Sequence, residues 1–94
     1  MTDIRTIPHL DNVQLNETYT NITLHVHDRG TTSKWVDVTG AFYVEGMYPR
    51  FRRQFPDGRT CEYGMHTPSR RIDFEVGGHV YTPNALYEKH KHDM

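Results

Sequence analysis

The chain has 94 residues, of which 35% are hydrophobic and 12% aromatic, and a formal net charge of -1. This length allows one domain with a thin core hiding roughly 60–65% of the unfolded surface, so a homodimer or a partner protein is expected to supply further burial. The charge excludes a generic polycation that coats nucleic acid or anionic lipid, and no stretch approaches the ~20 apolar residues of a membrane-spanning helix, so no membrane partner is expected.

Residues 1–16 read as an N-terminal arm or short strand. Ile4, Ile7 and Leu10 are spaced like one helical face, but Pro8 sits where an interior helical N–H is needed. A β-rich core is expected over residues 17–81. Thr20, Ile22, Leu24 and Val26 alternate with Tyr19, Asn21, Thr23, His25 and His27, which predicts a strand with one wet side. Turn residues at Asp28, Arg29 and Gly30 lead to a second alternation, with Val36, Val38, Phe42 and Val44 opposite Trp35, Asp37, Thr39, Ala41 and Tyr43. Gly40 falls on the apolar side and predicts a bend, a bulge or a close crossing.

Pro56, Asp57, Gly58 and Arg59 carry the strongest hairpin signal, joining extended segments at 50–55 and 60–65. Phe51 and Phe55 share a face of the first arm, and Cys61, Tyr63 and Met65 share one of the second. Ile72, Phe74 and Val76 then oppose Arg71, Asp73 and Glu75, and Gly77-Gly78 permits a tight reversal into residues 79–81. Residues 82–94 read as a short helix capped by Thr82 with Pro83 at its first position, or as a flexible tail. The sum is a mainly β, single-domain antiparallel sheet or partly open barrel of five to six strands.

Charge is distributed unevenly. Residues 50–71 hold Arg50, Arg52, Arg53, Arg59, Arg70 and Arg71 against Asp57 and Glu62, a local charge of +4, while the rest of the chain carries -5. Guanidinium forks beside Trp35, Tyr43 and Tyr48 are suited to interface hot spots, and with Tyr48, Tyr63 or Phe51 as stacking rings they also fit single-stranded nucleic acid. A plainer reading is a solvated sheet surface that discourages edge pairing. Strand periodicity puts Arg50 and Arg52 on one side and Arg53 on the other, so one flat arginine platform is not assured.

His25 and His27 share a strand side about 6.6–7 Å apart, a spacing that converges on a metal if a neighbouring strand supplies another ligand; exposed polar residues are the plainer reading. Cys61 is the only cysteine, so no intrachain disulfide or multi-cysteine metal centre can form. Its alternation with Tyr63 and Met65 points to packing and not to a nucleophile. With no secretory leader pattern at the N-terminus, the chain reads as cytoplasmic. It has no glycine-rich dinucleotide motif, phosphate-loop motif or His-Glu-x-x-His helix, and no cofactor is expected.

The resulting expectation is a non-enzymatic macromolecular interaction protein, an adaptor or inhibitor. It would bind a protein partner, or a second copy of itself, through Trp35, Tyr43, Tyr48 and the arginine-rich hairpin. The alternative is nucleic-acid binding by residues 50–71, and third comes a histidine-liganded metal protein or enzyme using His25 and His27.

Overall fold

Tight reversals divide the chain into antiparallel strands, and their backbone angles explain the residues found there. The computed structural model describes residues 13–93. Its elements are β1 (Thr18–Asp28), β2 (Thr31–Glu45), β3 (Tyr48–Gln54), β4 (Thr60–Gly64), β5 (His66–Thr67), β6 (Arg70–Val76), β7 (His79–Tyr81) and α1 (Pro83–Asp93). Arg29 (φ 53°) and Gly30 (φ 84°) are both left-handed between the paired residues Asp28 and Thr31, the type I′ geometry whose twist suits a two-residue hairpin. At the Pro56-Asp57-Gly58 turn, Phe55 O accepts from Gly58 N at 2.9 Å, and Asp57 Oδ1 accepts from Arg59 N at 3.0 Å.

The strands form one open sheet in the order β4-β3-β2-β1-β6-β5, with β7 also paired to β6. Met65 interrupts what would be a single strand and so separates β4 from β5. Its N–H donates to Pro49 O at 3.0 Å and its carbonyl accepts from Ile72 N at 2.8 Å. The sheet therefore curls back on itself at this point without a continuous ladder to close it. Five or six strands were expected; the count among the described residues is seven because β5 and β7 are short pieces at the β6 edge.

Ile22, Leu24, Val38, Phe42, Phe51, Ile72 and Phe74 are buried on the inner face, where the Phe42 ring lies 4.9 Å from Phe51 and 4.3 Å from Phe74. Each such side chain contributes about 1.5–3 kcal/mol by leaving water. Val13 and Leu86 are also fully buried against this cluster. Of the expected N-terminal arm, residues 1–12 lie outside the described residues; Asn16 N–H, just beyond, donates to Phe42 O at 2.7 Å. The helix alternative for the C-terminal segment is the one observed: Pro83 opens α1, and Thr82 O accepts from Ala85 N at 3.0 Å.

Two register breaks correct the side assigned to several residues. Asn21 (φ 59°) and Asp37 (φ 55°) lie where the β1–β2 register shifts, one extra residue on each strand. Trp35 was expected opposite the apolar series of β2. The bulge at Asp37 instead pairs Trp35 with Leu24 on the inner face and leaves Val36 57% exposed. Tyr19 is likewise turned inward, opposite Gly40, by the bulge at Asn21.

Candidate interaction surface

Strand alternation from Phe51 places Arg53, and Phe55 one residue past the end of β3, on the inner side, while Tyr63 pairs with Phe51 from β4. The Asp37 bulge delivers Trp35 to the same side. Tyr63 meets Trp35 edge-on at 5.4 Å between ring centroids. The Arg53 guanidinium then lies over Trp35 (5.4 Å) and over Phe55 (4.6 Å), and Arg59 covers Phe55 from across the hairpin (5.1 Å). Such contacts contribute about 0.5–2 kcal/mol each, depending on how far water is excluded. Trp35, Arg53, Phe55 and Tyr63 are half-buried and Arg59 is exposed, so the stack runs from the core out to solvent.

Burial pushes the Tyr63 hydroxyl above its ordinary acidity range; a hydrogen bond with Cys61 acts in the same direction, and Arg53 pulls it back. Arg53 has no carboxylate partner among the described residues. By contrast, Arg52 Nε donates to Glu62 Oε2 at 2.9 Å, and Arg59 Nε to Asp57 Oδ2 at 2.7 Å. Arg50 Nε lies 3.8 Å from Glu45, Arg70 3.3 Å from Asp28, and Arg71 3.2 Å from Asp73.

Tyr43, Tyr48, Arg50 and Arg52 stand on the opposite, outer face. Arg50 Nε donates to the Tyr43 hydroxyl at 3.1 Å, and the Arg52 guanidinium lies 4.8 Å from the Tyr43 ring centre. The Tyr43 hydrogen bond leads the rise in Arg50 basicity, and Arg52 holds the Glu62 carboxyl below its usual range. Tyr48 is 66% exposed at the β2–β3 turn. Arg70 and Arg71 belong to β6, on the far side of β1. The aromatic and arginine residues expected to share one surface are thus divided among two faces of β2–β4 and a distant strand. Phe51, considered as a stacking ring, is fully buried. Phe55 is a member of the stack that is not among the binding residues expected from the sequence, although its two-residue offset from Arg53 puts both on one side.

His25 Nε2 lies 3.4 Å from Glu75, and His27 Nε2 lies 3.4 Å from Asp73. Among the described residues no group of three or more His, Cys, Asp or Glu side chains is placed to hold a metal. Cys61 is exposed on β4, not packed as its alternation suggested. Among the same residues no helix is long and apolar enough to cross a membrane.

No family model, curated protein or solved structure matches this chain. The functional argument therefore rests on the site itself: a small β-domain with aromatic and charged side chains exposed in a way consistent with an interaction surface.

Proposed function

We propose that this chain is a small non-enzymatic interaction protein that binds an acidic segment of a protein partner along β4 and the Tyr63, Trp35, Arg53, Phe55 and Arg59 stack. One observation carries the reading: the stack is half-open to solvent, and its central guanidinium has no carboxylate among the described residues. Rings held by neighbouring groups have little rotamer freedom left to lose, and Trp, Tyr and Arg are the side chains most often found at interface hot spots. Among the described residues β4 ends the sheet path and offers an unpaired edge beside these rings. An added strand there would gain main-chain hydrogen bonds while its alternate side chains met the stack.

Nucleic-acid binding by residues 50–71 is the second reading, favoured by the same juxtaposition of rings and guanidinium groups. It is weakened by the arrangement of the arginines, which lie on two faces and are mostly compensated by carboxylates. A continuous phosphate track needs neither division nor compensation.

Native mass analysis of the protein recovered from its own host tests the proposal. A co-purifying polypeptide should be retained by Arg53→Lys, lost with Arg53→Glu, and should slow alkylation of Cys61 beside the stack. Equal recovery with Arg53→Glu would remove the stack from consideration. A bound oligonucleotide whose affinity falls steeply with salt would favour the second reading instead.

A further inference from the structure

A different concentration of charge lies at the far end of the sheet, where the β1–β2 and β5–β6 turns meet. Arg29 N–H donates to Ser69 O at 3.0 Å and joins the two turns. They border an open groove of about 410 Å³, lined by His27, Arg29, His66, Ser69, Arg70 and Arg71 among others, with no carboxylate among the described residues of the lining. This is large enough for a small ligand, although it is shallow compared with an enclosed pocket.

Two carboxylates pair with residues of the lining. Asp28 lies 3.3 Å from Arg70 and 3.9 Å from Arg29, while Asp73 is engaged by Arg71 and by His27. They hold Arg70 and Arg71 in place but leave Arg29 loosely paired, with 84% of its side chain exposed. The imidazole of His66 and the hydroxyl of Ser69 add donors to the lining. A concave site with three guanidinium groups, imidazole and hydroxyl donors matches a compact dianion with several acceptor oxygens.

We propose that this groove binds a phosphate monoester dianion or inorganic phosphate, independently of the stack on β2–β4. The test is amide-resolved NMR titration of the full chain with inorganic phosphate, glycerol phosphate and dimethyl phosphate at constant ionic strength. Arg29→Asn is the informative variant, because Asn-Gly is the preferred pair for a type I′ turn and the hairpin keeps its geometry while losing the cation.

Saturable shifts at Gly30, Thr67 and Ser69 are expected with inorganic phosphate or glycerol phosphate. Affinity should fall about five-fold in Arg29→Asn, as expected for one charge contact in a largely aqueous setting, and be retained in Arg29→Lys. Either order of the two dianions supports the site and indicates which source fills it. Shifts reproduced by chloride, shifts centred elsewhere, equal binding of dimethyl phosphate, or unchanged affinity in Arg29→Asn would overturn the proposal.

Discussion

Gly40 occupies a position where β2, β3 and the core come within a backbone's breadth of one another. A Cβ there would overlap the Arg52 carbonyl oxygen and the tip of the Phe51 ring, neither of which can yield without moving the sheet. Gly40→Ala is therefore expected to cost about 3 kcal/mol, measured as a lower urea midpoint at unchanged slope. Tyr81 presents the opposite case. Its ring packs 5.2 Å from Phe74, yet its buried hydroxyl has no hydrogen-bond partner among the described residues. Removing an unsatisfied group also removes its desolvation penalty, so Tyr81→Phe should raise stability at neutral pH by about 1 kcal/mol. A loss of stability would mean the hydroxyl has a partner.

At the scale of elements, the paired bulges in β1 and β2 decide which residues can act together. Asp37 is exposed and left-handed, a backbone state that glycine adopts freely and a β-branched residue resists. Asp37→Gly should keep the Trp35 fluorescence spectrum and be neutral or stabilising by up to ~1 kcal/mol, whereas Asp37→Val should lose about 1–2 kcal/mol. Deleting Asp37 removes the extra residue itself. Val38, Val36 and Trp35 would then alternate in, out and in along a regular strand, so Trp35 keeps its place opposite Leu24 and its emission should not shift. A red-shifted spectrum in a folded deletion variant would show that Asp37 is not the extra residue of the bulge. Much of the strand pattern was legible: the Ile22, Leu24 and Val26 series, the Phe51 and Phe55 side, the Gly77-Gly78 reversal and the start of α1 all follow from local periodicity and turn chemistry. The stack was not. Alternation counted through Asp37 assigns Trp35 to the wrong side, because periodicity carries no mark of a bulge unless a glycine or a left-handed preference is weighed at that residue.

The whole molecule should respond to pH at both ends of its range. Burial raises Tyr63 and Tyr81 above the ordinary tyrosine value, so the folded state favours the neutral phenols. Their contribution is present below about pH 10 and is lost as pH climbs through the raised folded values, because the unfolded chain releases those protons first. Glu62 has the reverse sign. Arg52 lowers it, so its contribution is present above the ordinary carboxylate range and disappears as pH falls through the lowered value. Both partners of that pair are exposed, and salt should screen it. Denaturation midpoints should thus drop above about pH 10, and a Tyr63→Phe, Tyr81→Phe double variant should flatten that decline. An identical alkaline profile would assign it to other groups.

Periodicity and turn chemistry along the chain establish a mainly β antiparallel sheet, its principal reversals, most of its apolar face and the concentration of arginine in residues 50–71. These follow from short-range sterics and from a period of two, which every strand obeys until something interrupts it. The division of the arginines between two faces and a distant groove, and the meeting of Trp35 with Arg53 and Phe55, arise only in the folded sheet. Those outcomes depend on strand order and on two one-residue bulges, and moving a strand's register by one residue exchanges its faces while leaving its composition untouched.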